Sequence, residues 1–279
     1  MSLLIELCPK LVLNFKKDDF NYECNFKTGD LYKVLKSYNL SYNLLFSYGG
    51  NFGKELYDHL RKNYFKTIAI ETRDNSSLIV NIYDGKTTIS KSSPDQVLTL
   101  IDYQKIMDEF VSAIYNENTI VLPIYDTEES IAYKIIKIAN NYYKSTIVFG
   151  DKAHKFLKHK PTIAIFMRKQ VEDICPFKIL DDYELLNFSY SLAEDTPTRI
   201  IIIDEDILYF YKTGVCYKAT GIKTNFTKTL FAAVFATENN MDSYEIAQFI
   251  ASANNLPLGT KIGTINEKSK EIKMGIFRR

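Results

Sequence analysis

Apolar and polar residues alternate in two stretches of the first ninety residues, which predicts β-hairpins there. The stretch 10–26 alternates on both sides of the charged turn 16–19. The stretch 76–91 does the same around Asp84 and Gly85, a pair typical of tight hairpin turns. Strict alternation indicates strands with one buried and one exposed face. These hairpins therefore suit a small antiparallel sheet that covers another part of the protein.

The pattern changes after Pro94, where helical segments alternate with short, almost entirely apolar runs. Helical spacing of apolar residues occurs at 99–114, 127–143 and 241–253. The apolar runs in the same part of the chain are rich in β-branched residues and lie at 118–124, 145–150, 161–167 and 198–205. Runs of this kind are typical of parallel strands that are buried on both faces and covered by helices.

Together these patterns predict an α/β protein with a three-layer core around a mostly parallel sheet, plus a small antiparallel β lid. Two earlier segments with helical spacing, 29–38 and 53–64, belong to the core. We expect the core to comprise residues 1–9, 28–65 and 93–279. We expect the lid to comprise residues 10–27 and 66–92, which assigns the strand pattern at 66–71 to the lid.

Composition and charge narrow the classes of function. The chain has 279 residues, of which 46% are hydrophobic and 25% charged, as in ordinary globular proteins. A net charge of +1 argues against a nucleic-acid surface, since binding to phosphate backbones needs a basic excess. No apolar run is long enough to span a membrane, and no basic segment precedes the apolar start. We therefore expect a cytoplasmic protein that binds neither nucleic acid nor membrane.

Cysteine and glycine usage exclude two further kinds of site. Cys8, Cys24, Cys175 and Cys216 are spread singly, without a paired spacing, so we expect neither a disulfide framework nor a metal site. The chain has 11 glycines, about half the usual share of roughly 7%. A protein whose chemistry needs several glycine-rich phosphate loops would be short of them.

Three short strings between residues 48 and 97 carry a family resemblance. They read YGGNFGKEL at 48–56, ETRDNSSLIVNIYDGKTTI at 71–89 and KSSPDQV at 91–97. In this order they resemble segments of the ribokinase-type PfkB family of sugar kinases: the glycine pair and helix start, the Thr-Arg strand with its lid hairpin, and the segment that follows. The likeness is strongest to the branch that acts on sugar phosphates, 1-phosphofructokinase and tagatose-6-phosphate kinase. It extends over nearly the whole chain and implies a ribokinase-like core.

The resemblance implies a set of substrate-binding residues. Arg73 would hold the phosphate already present on the sugar, a bidentate task that suits a guanidinium group. Lys27 falls in the family's Gly-Gly-Lys-Gly string, which reads NFKTGD here, and Asp30 stands where the family usually has Asn. Gly49 and Gly50 would form the turn beside the sugar site.

The catalytic string of the family is altered. Relatives open a late helix with Gly-Ala-Gly-Asp, whose backbone N–H groups bind the moving phosphoryl group and whose aspartate is the base. The matching segment 224–236 has Asn225 and Thr227 in place of the glycines and Lys228 in place of the aspartate. A charged ammonium group cannot act as the base, and side chains obstruct the approach of a phosphate to the backbone.

Three other family positions are also changed. The sugar-binding aspartate after the first strand falls at Val12. The Lys-Pro-Asn string near the phosphates has Phe166 and Arg168 at its important places. The glycine turn near the nucleotide is replaced by three acidic residues at 204–206, and these would repel the phosphates of ATP.

We interpret the chain as a degenerate PfkB-type sugar kinase homologue that is catalytically inactive. It would bind a sugar phosphate or act through a homodimer formed by the β lid, and it would need no cofactor or metal. One alternative is an active sugar-phosphate kinase that uses ATP and Mg²⁺, with Asp126 or one of the acids at 204–206 as a relocated base. Another alternative is an interaction scaffold that binds no small molecule.

Overall fold

A computed structural model describes residues 1–16, 19–62, 66–83, 87–194 and 196–278, so most of the predicted turns at 16–19 and at Asp84 and Gly85 lies outside the described residues. The strands are β1 Ser2–Glu6, β2 Lys10–Lys16, β3 Asp19–Asn25, β4 Tyr42–Tyr48, β5 Lys66–Glu71, β6 Leu78–Tyr83, β7 Thr88–Ser92, β8 Thr119–Pro123, β9 Ser145–Phe149, β10 Ile163–Met167, β11 Arg199–Ile203, β12 Ile207–Lys212, β13 Val215–Thr220 and β14 Gly275–Arg278. The α-helices are α1 Leu31–Ser37, α2 Gly50–Lys62, α3 Leu100–Ile114, α4 Asp126–Asn141, α5 Arg168–Ile174, α6 Asp182–Ala193, α7 Phe226–Glu238, α8 Ser243–Asn255 and α9 Ile262–Ser269, and a 3₁₀ helix spans Ala153–His159.

The large sheet has the strand order β14-β13-β12-β11-β10-β9-β8-β1-β4-β5. The seven strands from β11 to β5 run parallel to their neighbours, whereas β12, β13 and β14 are antiparallel. The four apolar runs predicted to be buried parallel strands are β8, β9, β10 and β11, which lie side by side. Their burial on both faces explains why they contain so few polar residues.

Two hydrophobic clusters pack on opposite faces of this sheet. One includes Phe110 of α3 and Ile135 of α4, and the other includes Phe231 of α7 and Phe249 of α8. Helices thus cover both faces, which confirms the predicted three-layer α/β core. Among the described residues, no helix is long and apolar enough to cross a membrane.

The small sheet has the order β3-β2-β6-β7 and differs from the prediction in two ways. Its outer pairs are antiparallel as expected, but β2 and β6 pair in parallel, because they come from separate hairpins that enter the sheet in the same direction. The segment 66–71 was predicted to belong to the lid, and this is wrong. It forms β5, which pairs in parallel with β4 at the edge of the large sheet.

Candidate functional site

Helix α7 begins at the segment that resembles the family's catalytic string. The Asn225 side chain caps the helix, since its Oδ1 accepts the Lys228 N–H at 3.0 Å. The Asn225 N–H donates to Oδ1 of Asn254 at 2.7 Å, and the Asn254 amide nitrogen donates to Thr229 Oγ1 at 3.0 Å. Asn254 lies near the end of α8 and is almost fully buried. Two backbone donors at the start of α7 are therefore already satisfied by side chains of the protein.

Lys228 stands at the position of the family's aspartate and caps the neighbouring helix. Its Nζ donates to the carbonyl oxygens of Asn254 at 3.1 Å and Leu256 at 2.6 Å, at the end of α8. Burial lowers the pKa of Lys228, and the nearby Lys223 lowers it further. A lysine at a helix C-terminus satisfies carbonyl groups that have no partner within the helix. Lys228 therefore stabilises the C-terminus of α8.

The turn between β3 and α1 packs against the start of α7. A Cβ atom on Gly29 would lie 3.3 Å from Oγ1 of Thr227, the residue at the second glycine position. The side chains of Asn225 and Thr227 therefore stand at a helix start that glycines would leave open to a phosphate group. Sequence reasoning missed Asn254, since nothing in its local sequence indicates that it contacts residue 225.

Two of the other substituted positions bind each other. Arg168 follows β10 and donates to Asp204 at 2.8 Å and to Glu172 at 2.9 Å, and it lies 3.6 Å from Asp182. The hydrogen bond to Asp204 raises the pKa of Arg168 most, and the hydrogen bond to Glu172 raises it further. Asp182 also accepts a hydrogen bond from Lys218 at 2.5 Å, which lowers its pKa. The carboxyl ends of β10 and β11 therefore carry a network of ion pairs.

The remaining candidates for a relocated base are also engaged or exposed. Asp126, the first residue of α4, is largely exposed, and its carboxylate lies 3.2 Å from the Lys152 ammonium group. Phe166, at a family phosphate position, is buried in the hydrophobic core. Among the described residues, no group of three His, Cys, Asp or Glu side chains could hold a metal ion.

Gly49 and Gly50 make room for the loop that follows β5. A Cβ atom on Gly49 would lie 1.9 Å from the Asp74 carbonyl oxygen, and one on Gly50, where φ is +62°, would lie 1.7 Å from Asn75 Oδ1. The two glycines therefore serve close backbone packing. The same loop carries Arg73, whose side chain is exposed and makes no ion pair with any residue in the described part of the chain.

Lys27 lies between two fully buried carboxylates where the lid returns to the core. Its Nζ donates to Glu128 Oε1 and to the Leu7 carbonyl oxygen, the latter at 2.9 Å. Its backbone N–H donates to Glu6 Oε2 at 2.9 Å, and Glu6 also accepts from the N–H and hydroxyl of Thr28. Burial raises the pKa of Glu6 to about 7 and also raises the pKa of Glu128.

The predicted substrate residues line different cavities. The first cavity, of about 220 Å³, lies at the start of α4 and is lined by Cys8, Lys10, Lys27, Ser77, Asp95, Gln96, Tyr125, Asp126 and Thr127. A second cavity, of about 390 Å³, is lined by Val12 on the lid and by Asp30. A third, of about 540 Å³, contains Gly50. Arg73 is not among the residues that line these three cavities.

The fold of this chain matches those of three solved phosphofructokinase structures. A putative phosphofructokinase from Staphylococcus aureus matches with a TM-score of 0.80 at 13% identity, over 100% of this chain and 99% of that chain. Phosphofructokinase-2 from Escherichia coli, in complex with fructose-6-phosphate, gives 0.75 at 11% identity, over 97% and 98%. A possible 1-phosphofructokinase from Thermotoga maritima gives 0.73 at 13% identity, over 100% and 99%.

No family model and no curated protein matches the sequence. At 11–13% identity, the likeness to these structures establishes the fold. The resemblance to PfkB-type kinases that the three short strings carry is thereby confirmed at the level of architecture.

Proposed function

We propose that this protein is a degenerate PfkB-type sugar kinase homologue that binds a sugar phosphate without transferring a phosphoryl group. The observation that carries the proposal is the start of α7. There Asn254 accepts the Asn225 N–H, and Lys228 replaces the base and caps α8. A kinase of this fold needs free donors and a proton acceptor at that place. In this chain the N–H groups of Asn225 and Lys228 already have side-chain partners, and the ammonium group of Lys228 offers no proton acceptor.

The cavity at the start of α4 supports a phosphorylated ligand. It is lined by Lys10 and Lys27 and by the first residues of α4, a helix of 16 residues. Ammonium groups and a helix N-terminus both favour an anion. Lys10 lies 2.5 Å from Asp95, so binding of a phosphate would compete with an exposed ion pair that is easily exchanged. Arg73 adds an exposed guanidinium group on the loop after β5.

The lid supports assembly into a homodimer. Phe20, Phe15, Ile82 and Ile89 are register partners in a row across all four strands of the small sheet. Each of these side chains is between 40% and 53% exposed. A row of large apolar side chains across an exposed sheet face is typical of an interaction surface. A second copy of the lid would cover it, and the lid would then act as a dimer interface.

Calorimetric titration with ATP–Mg²⁺, and separately with fructose 6-phosphate, fructose 1-phosphate and tagatose 6-phosphate, tests the proposal. We expect one of the sugar phosphates to bind, ATP–Mg²⁺ not to bind, and no ADP to form in a coupled assay. Arg73→Ala should weaken sugar-phosphate binding if its guanidinium group holds the phosphate, with Arg61→Ala on α2 as an exposed control.

Two other outcomes have clear meanings. Binding of ATP–Mg²⁺ with formation of ADP would contradict the proposal and support an active kinase, and Asp126→Asn and Asp204→Asn would then identify the base. Absence of binding by every ligand, together with a stable dimer, would support a scaffold that acts through its lid.

A further inference from the structure

Two buried carboxylates lie behind Lys27, one of the residues that line the cavity at the start of α4. Glu6 and Glu128 are fully buried, and both contact Lys27, the former through the backbone N–H and the latter through Nζ. One ammonium group thus stands against two buried carboxylates. A buried carboxylate without a compensating charge is strongly unfavourable, and such groups take up a proton instead.

We propose that a phosphorylated ligand binds in this cavity together with a proton, which the Glu6–Glu128 pair behind Lys27 takes up. The inference rests on the proposed function, since it concerns the same ligand and the same cavity. No covalent step is involved. The proton comes from solvent and is taken up by one of the two carboxylates, each of which contacts Lys27.

The charges around Lys27 support this coupling. The titratable groups that face it are Glu6 from β1, Cys8 from the following turn, and Tyr125 and Glu128 from the start of α4. On the cavity side, Lys10 is paired with Asp95, and Asp126 is paired with Lys152. The phosphate of the ligand and the two buried carboxylates would therefore compete for the positive charge of Lys27. An incoming phosphate adds negative charge beside two carboxylates, which favours their protonated forms.

The expected size of the coupling follows from the titration of Glu6. With a pKa of about 7, Glu6 is protonated in about a quarter of molecules at pH 7.5. A ligand that raises this pKa by one unit brings the protonated share to about three quarters, so about half a proton is taken up per ligand. The same shift strengthens binding about fourfold between pH 8.5 and pH 7.0. Both pH values lie above the phosphate's own second pKa of about 6.

Calorimetry with fructose 6-phosphate at pH 7.5 measures this coupling directly. The binding enthalpy is compared in two buffers with low and high ionisation enthalpy, and the difference gives the protons taken up. We expect an uptake of about half a proton in the wild type and little or none in Glu6→Gln. Glu128→Gln leaves the Lys27 ammonium group without its carboxylate partner, so it should lower the pKa of Glu6 and reduce the uptake. Two variants are used so that a failure of one to fold does not remove the test.

Glu117→Gln is the matched control. Glu117 is also a buried carboxylate with a raised pKa, but it precedes β8 and lies at the opposite end of the strand from the cavity. It should keep the wild-type uptake. Binding without proton uptake, or uptake that persists in both cavity variants or disappears in Glu117→Gln, overturns the coupling while sugar-phosphate binding stands. If fructose 6-phosphate, fructose 1-phosphate and tagatose 6-phosphate all fail to bind in every buffer, both proposals are overturned.

Discussion

Lys228 uses its amine to cap the C-terminus of the neighbouring helix α8. Lys228→Met keeps most of the aliphatic stem and removes the donor to the Asn254 and Leu256 carbonyl oxygens. We expect a loss of about 1–3 kcal/mol in the free energy of unfolding, measured with urea, because partly buried carbonyl groups lose their partner. Lys223→Met, at an exposed position nearby, should change stability by less than about 0.5 kcal/mol. Equal stability of the two variants would contradict the structural task of Lys228.

Glu6 makes stability depend on pH. Its pKa is raised from the ordinary value to about 7 by burial, so the native state holds a proton that the unfolded state releases near pH 4.5. The contribution is fully present below pH 4.5 and is lost as pH rises through about 7. We expect the free energy of unfolding to fall between pH 5 and pH 8, and to fall less in Glu6→Gln. Urea unfolding across this range checks the slope, and parallel curves for the two proteins would refute the assignment.

At the scale of elements, the joint between β4, α2 and the loop after β5 depends on Gly49. A methyl group there would lie 1.9 Å from the Asp74 carbonyl oxygen, so the loop that carries Arg73 must move. We expect Gly49→Ala to destabilise the protein by about 2–4 kcal/mol and to weaken fructose 6-phosphate binding. Gly263→Ala is the matched control, since it lies within α9 with nothing within 4 Å of the added carbon. It should stabilise the helix by about 0.5–1 kcal/mol.

The ion pairs at the carboxyl ends of β10 and β11 are also an element-scale feature. Arg168 was predicted to stand in the family's phosphate string, and Asp204 begins the acidic turn. On sequence grounds these two changes look like independent losses. In the structure they form one contact, so the repulsion expected from the three acids is partly neutralised by Arg168. The pair thus links the first residue of α5 to the residue that follows β11.

At the scale of the whole molecule, the exposed row on the lid predicts the oligomeric state. We expect the protein to sediment as a dimer, and Phe15→Lys to shift it to a monomer, because a charged side chain in the middle of the row opposes burial. Leu258→Lys, at an exposed position outside the lid, should leave the dimer intact. If the wild type is a monomer at micromolar concentration, the lid is not a dimer interface.

Local patterns of the sequence determined most of the elements. The β-branched runs of β8 to β11 predict buried parallel strands, and the spacing at 99–114 and 241–253 predicts α3 and α8 to within about three residues. The spacing at 127–143 likewise predicts α4. These features are local, because a helix or strand that buries one face places apolar residues at a regular spacing along the sequence.

Only the tertiary structure decided which elements and side chains meet. The alternation at 66–71 gives a strand but not its neighbour, so β5 was assigned to the wrong sheet. Lys27 and Glu128 are 101 residues apart, and Asn225 and Asn254 are 29 apart. Such contacts leave no periodic signal, because each partner is chosen by the packing of distant elements. The closed start of α7 and the two carboxylates behind Lys27 therefore belong to the folded molecule, and the sequence pattern alone does not contain them.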